Sequence, residues 1–157
     1  MTNQEIVHAT LTFAAPTDRV FALLADPTTH AEIDGTGWVQ GSVDQAPLTQ
    51  EGQIFRMGMF HAGHPEGHYQ TVNKVAVFEA PRAIGWLTGQ ELGDGSFEFG
   101  GWLWRYDLAP LGSAETEVTL SYDWSGVPRY IRDRGIPFPP FGPEHLINSL
   151  RHLATLA

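Results

Sequence analysis

A single helical stripe near the C-terminus constrains this chain more than any other feature. Leu146, Ile147, Leu150, Leu153 and Leu156 recur at helical spacing after Pro143. From Trp38 to Ser125, by contrast, the segments alternate apolar and polar residues with turn signals between them. An antiparallel sheet made of such segments has one apolar face to hide, and one long helix is available to cover it. The expected class is therefore α+β, a curved antiparallel sheet of about seven strands wrapped around a long C-terminal helix. The 157 residues suit one such domain. A chain of this length buries roughly 70% of its unfolded surface and needs no staple.

The segment Glu5–Ala14 puts Val7, Ala9, Leu11 and Phe13 on one side of a strand, with Ile6, His8, Thr10 and Thr12 on the other. Pro16 suits the first turn of a helix whose apolar stripe is Val20, Phe21, Leu23 and Leu24. Asp26-Pro27 stops that helix and starts a second short one, with Asp26 as N-cap and Gly35-Thr-Gly37 as its end. Further strands are expected at Trp38–Asp44, Gln53–Phe60, His68–Glu79, Arg82–Thr88, Phe97–Ala109 and Glu115–Ser125. The loop His61–Gly67 closes one hairpin, Ala80-Pro81 makes a tight corner, and Asp94-Gly95 is a hairpin turn. Five prolines between Pro128 and Pro143 break the chain before the final helix.

Charge and composition exclude several function classes. Eighteen acids against nine bases give −9. A phosphate-backbone binder needs a basic face, which the single Lys74 and eight scattered arginines do not supply. Nucleic acid and anionic membranes are therefore poor partners. Without cysteine, thiolate nucleophiles and zinc–sulfur sites are excluded. Met1–Thr10 lacks a basic and apolar leader pattern, and no stretch approaches the ~18 apolar residues of a membrane span. A cytoplasmic location without membrane insertion is the default expectation.

Pro16–Phe21 with Leu24 and Asp26-Pro27, Tyr69–Val75 with Phe78–Pro81, Ile84-Gly-Trp86, Trp104–Leu108, Val118–Trp124 and the leucine-rich last helix together carry a family likeness that spans nearly the whole chain. In these stretches the sequence resembles the START-like helix-grip superfamily, closest to its bacterial polyketide cyclase/dehydrase and lipid-transport (SRPBCC) group. The resemblance implies a helix-grip fold with a ligand cavity between sheet and C-terminal helix. Its motifs are core and turn signatures, specific for fold and nearly silent on chemistry.

Strand phase then suggests what lines that cavity. Phe55, Met57 and Met59 share one face, and Tyr69, Thr71, Asn73, Val75 and Val77 share another. Trp102, Trp104 and Tyr106 align in one strand, and Val118, Leu120, Tyr122 and Trp124 in the last. Such aromatic faces with a few polar groups have the composition of a small-molecule pocket. Equally, aromatics at this period fill cores. Trp86, and His61 at the pocket mouth, join Phe55, Met57, Met59, Tyr69, Thr71, Asn73, Trp102, Trp104, Tyr106, Tyr122 and Trp124 as candidate ligand-binding residues. Asn73, as a buried amide, either bonds backbone or orients a ligand.

Catalytic signatures are sparse, and no catalytic residue is assigned. His61, His64 and His68 around Glu66 match no strong metal-ligand spacing, so neither metal nor cofactor is expected. There is no Gly-x-Ser-x-Gly elbow, and Gly93-Asp-Gly95 lacks the following helix of a dinucleotide fingerprint. Asp107 and Asp123 fall opposite the aromatics, whereas Glu79 shares the phase of Asn73 at a strand end. Arg129, Arg132 and Arg134 read as surface charge, or as a gate for an acidic ligand. The leading expectation is a binder of a mid-sized hydrophobic or aromatic molecule. A cyclase, aromatase or dehydratase using the same cavity is the alternative, and a protein-interaction module, with a homodimer as its form, is the third reading.

Overall fold

Alternation in the sequence becomes a single curled antiparallel sheet in the computed structural model, which describes residues 5–34, 37–63, 65–135 and 137–157. Its strands are β1 (Ile6–Phe13), β2 (Val39–Ser42), β3 (Ile54–Phe60), β4 (His68–Glu79), β5 (Ala83–Glu91), β6 (Phe97–Pro110) and β7 (Thr116–Asp123). They lie in the order β1-β7-β6-β5-β4-β3-β2, so β7 crosses back to pair with β1. Four helices accompany them among the described residues: α1 (Thr17–Leu24), α2 (His30–Ile33), α3 (Arg129–Arg132) and α4 (His145–Leu156). This is an α+β architecture that fits a helix-grip-like arrangement.

Local chemistry accounts for the punctuation. Asp26 accepts the Thr28 N–H and Thr28 hydroxyl at 3.0 and 2.6 Å, capping a 3-10 turn at Pro27–Thr29 that runs directly into α2. Gly35 and Thr36, expected to end that helix, lie outside the described residues, as does His64. At the β5–β6 hairpin, Asp94 accepts from the Ser96 N–H at 3.0 Å and Gly95 takes φ +85°. Strand β1 keeps the expected alternation, its Val7, Ala9, Leu11 and Phe13 turned inward and their neighbours exposed.

The apolar face of α4 buries Leu146, Leu150 and Leu153, with His145 and Ser149 on the same side. It packs on β1, β7 and α2. Its contacts with the sheet are therefore concentrated at the β1–β7 end, while α1 reaches β5 and β6. Phe13, Leu24, Ile84, Val118, Leu120 and Leu150, each at most 2% exposed, mark the centre of the core.

Two readings need correction. A register shift between Val75 and Val77 inserts a bulge in β4, after which Phe78 pairs with Ile84 and Glu79 with Ala83. Phe78 therefore turns inward onto Phe21, with ring centroids 5.4 Å apart. Val77 and Glu79 consequently leave the face of Asn73, and Glu79 lines an outer hollow of about 360 Å3 with Arg82, Asp107 and Glu117. The second correction concerns α3, a single turn after Pro128 that the proline-rich reading did not anticipate. Arg132 within it is no simple surface charge. Its guanidinium donates to the carbonyls of Val127 and Trp124, at 2.9 and 2.8 Å, and pairs with Glu5 at 2.8 Å.

Candidate functional site

Cross-strand register brings the aromatic residues into one band on the concave face. Trp86 of β5 pairs with Trp104 of β6, which pairs with Tyr122 of β7. One residue pair along, Phe55, Asn73 and Thr88 lie side by side across β3, β4 and β5. The rings touch: Trp104 and Tyr122 have centroids 4.6 Å apart, and Trp86 and Tyr106 are 6.1 Å apart. From the helical side, His30 stacks on Trp86, and His145 and Phe141 pack on Trp104 at 5.6 Å each.

Burial divides the candidate residues into two groups. Phe55, Met57, Tyr106, Tyr122 and Trp124 are closed into the core. Trp86, Trp102, Trp104, Met59, Tyr69 and Thr71 share the inward phase yet stay half-buried. Met59 and Tyr69 also border an open hollow of about 330 Å3 with Gln40, His68 and Gln70, at the β3–β4 end of the sheet. His61 is not brought to the band. It is exposed, its Nδ1 accepts the Gly63 N–H at 2.9 Å, and its ring lies against Trp38.

Gly100 and Gly101 set the position of Trp102. The register shifts between Leu87 and Gly89, and Gly101 adopts φ +94° where β6 bulges. A Cβ on Gly100 would lie 1.8 Å from the Trp102 indole, so that ring folds back over the glycine. Phe138, from the segment before α4, meets the same indole at 6.1 Å.

The polar groups of the band are few. Asn73 is 4% exposed, and its Oδ1 accepts the Thr88 hydroxyl at 2.8 Å. Its Nδ2 reaches the Phe55 carbonyl and Thr71 hydroxyl at 3.4 and 3.5 Å, both long. Burial pushes the phenols of Tyr69, Tyr106 and Tyr122 above their ordinary range, so they serve as neutral hydrogen-bonding groups near pH 7. Burial lowers the pKa of His30 and His145, which favours neutral imidazoles. Asp34, just after α2, lies within electrostatic reach of Tyr106 and His145, and its Oδ2 accepts the Val39 N–H at 3.0 Å.

Sequence reasoning missed His30, Asp34 and His145. The helical period of α4 did place His145 one turn before Ser149 on the buried side, a signal that was present. Nothing local marks Asp34, because its neighbours on β6 and α4 are distant in sequence. No group of three or more His, Asp or Glu side chains among the described residues is disposed to hold a metal ion.

Fold and site together define a helix-grip-like α+β protein whose sheet carries a band of aromatic residues, some fully and some partly buried. Solved bacterial structures share that fold. Protein NE0264 from Nitrosomonas europaea superposes with TM-score 0.67 at 14% identity, covering 99% of this chain and 96% of that one. Protein Ms6760 from Mycobacterium smegmatis gives 0.64 at 18% identity, over 98% of this chain and 90% of that one. Among curated proteins, the uncharacterized protein Rv0088 of Mycobacterium tuberculosis H37Rv is 29% identical over 111 residues. Its counterpart MT0096 in strain CDC 1551 is 31% identical over the same length. Both alignments cover 71% of this chain and 44% of the relative, so the chain spans under half the length of these proteins. No protein-family model matches the chain. Among the described residues, no helix is long and apolar enough to cross a membrane.

Proposed function

We propose that this chain is a START-like helix-grip domain of the SRPBCC type that binds a mid-sized hydrophobic or aromatic molecule between its sheet and α4. The observation carrying this reading is the half-buried state of Trp86, Trp102 and Trp104 on the face that otherwise forms the core. Indoles turned inward but left partly in water are apolar surface that a ligand removes from solvent. A bicyclic arene burying about 200 Å2 gains on the order of 5 kcal/mol before association costs, so weak binding, on the order of millimolar, is the expected scale for so small a probe. The neutral phenols and the Asn73–Thr88 pair suit orientation of a ligand more than proton transfer, which favours a carrier over a cyclase or dehydratase.

Tryptophan fluorescence titrated with naphthalene, and with larger neutral polycyclic compounds, tests the reading. A saturable change in the wild type, weakened at least fivefold in Trp104→Ala, supports it. A linear response to every compound, with the protein folded by circular dichroism, rejects it.

A further inference from the structure

Several hydrogen-bonding groups flank the α4 side of the aromatic band. His145 opens α4, is 8% exposed, and its Nδ1 is buried without a hydrogen-bond partner among the described residues. Its ring packs against Trp104, and the Trp104 ring in turn lies against Tyr122. Tyr106 follows Trp104 by two positions on the same face of β6 and leans on Trp86. Asp34, at the end of α2, lies within electrostatic reach of Tyr106 and His145.

Basic side chains are turned elsewhere. Arg56 and Arg105 pair with acids on the convex face, at Asp44 and Asp107, and Lys74 is exposed. Arg82 borders the outer hollow, and Arg132 is held by Glu5. The other four arginines are exposed outside the band. The band thus offers ring faces, neutral hydrogen-bonding groups and a carboxylate, and among its described residues no cation.

A neutral hydroxyl fits this set. It donates to an imidazole nitrogen and accepts from a phenol, so one small group answers two partners. A carboxylate headgroup would lose its water beside Asp34 with no positive charge to meet it, which is costly. We propose that the ligand is a neutral hydroxylated arene, a phenol or enol, whose O–H is read by His145 together with Tyr106 or Tyr122, and that carboxylate-bearing lipids are discriminated against. The proposal rests on the reading that the aromatic band binds a hydrophobic molecule, and it supplies the chemical class.

Three probes of one shape test it at pH 7: naphthalene, 2-naphthol and 2-naphthoate, titrated calorimetrically. Naphthol should bind about tenfold more tightly than naphthalene, the ratio of one recovered hydrogen bond, and naphthoate more weakly than either. In His145→Phe the ratio of naphthol to naphthalene affinity should fall to near one. Should that variant not fold, 15N NMR of the wild-type imidazoles gives the answer. The His145 resonances should move with naphthol and much less with naphthalene. Asp34→Asn should strengthen naphthoate binding relative to naphthalene and naphthol. Equal binding of naphthol and naphthalene, tightest binding by naphthoate, or a His145 signal indifferent to naphthol overturns the proposed class while leaving the band a binder. Failure of all three probes to bind overturns both readings together.

Discussion

The imidazole of His30 lies nearly parallel to the indole of Trp86, 4.9 Å between centroids and 17° from coplanar. Its Nε2 is 2.8 Å from the Leu24 carbonyl, so in the neutral ring that nitrogen carries the proton and donates. Phe55 closes a second side at 5.8 Å, edge to face. One buried imidazole thereby ties α2 to the sheet at the edge of the aromatic band.

That burial makes stability depend on pH. Desolvation holds the folded pKa of His30 below its ordinary 6.5, and the same cause acts on His145. Below about pH 6.5 the unfolded chain takes up protons that the folded chain resists, so stability falls as the pH drops. It is fully present above that value and declines toward the depressed folded pKa, by at most about 1.4 kcal/mol per pH unit for each group. Urea midpoints at pH 7.5 and 5.0 should show the loss, and His30→Phe should have a shallower pH dependence than the wild type. Parallel profiles for the two proteins would refute the assignment to His30.

Asn73 and Thr88 form a short side-chain hydrogen bond within the band, at 2.8 Å. Asn73→Ala leaves the Thr88 hydroxyl unmatched and should destabilise by about 1–3 kcal/mol. Thr88→Val removes the other partner. The double variant should therefore lose less than the two single losses combined, with a coupling on the order of 1 kcal/mol. Chemical denaturation of all four proteins measures it, and strict additivity would show that the bond contributes nothing.

The β4 correction and the residues missed around the band show where sequence reading stops. Strand existence and the inward phase of β1, β3 and β7 follow from alternation alone, because each residue's face depends only on its neighbours. Glu79 was misplaced because a bulge at Ala76 shifts the β4 phase by one residue, and a bulge is set by pairing with β5. His145 and Asp34 meet the band only through packing of α4 and α2, separations that no local pattern encodes. The half-buried state of Trp86 and Trp104 was illegible for the same reason: it depends on where α4 comes to rest across the sheet.

Arg132 and Arg129 share one helical turn but should behave oppositely. The Arg132 guanidinium reaches two carbonyls and Glu5, joining α3 to the ends of β1 and β7. Arg129 is 93% exposed and sits 4.0 Å from Asp133. Arg132→Ala should cost about 1.5–3 kcal/mol, the scale of hydrogen bonds to a charged group. Arg132→Lys should recover little, since an ammonium cannot span three acceptors with the guanidinium's planar fork. Arg129→Ala should be neutral within about 0.5 kcal/mol. Denaturation midpoints of the three variants decide the matter, and similar effects at the two positions would contradict it.

Gly100 offers a way to move Trp102 from beneath rather than to delete it. A methyl group at position 100 would overlap the indole, whose nearest atom lies 1.8 Å from the Cβ position, so the ring must swing toward Phe138 or out into water. Position 101 behaves differently. There a Cβ would meet the Gly126 carbonyl oxygen at 2.3 Å, and φ is +94°, so backbone rather than a rotatable ring stands in the way. Gly100→Ala should therefore keep the fold, at a cost of about 1–3 kcal/mol for the displaced ring, while changing near-ultraviolet circular dichroism and arene affinity. Gly101→Ala should destabilise more than Gly100→Ala, because its clash is relieved only by separating β6 from the turn after β7. Thermal melts rank the pair, and the near-ultraviolet spectrum of Gly100→Ala reports the ring. An unchanged spectrum and unchanged naphthalene affinity in that variant would remove Trp102 from the binding surface, leaving Trp86 and Trp104 to carry it.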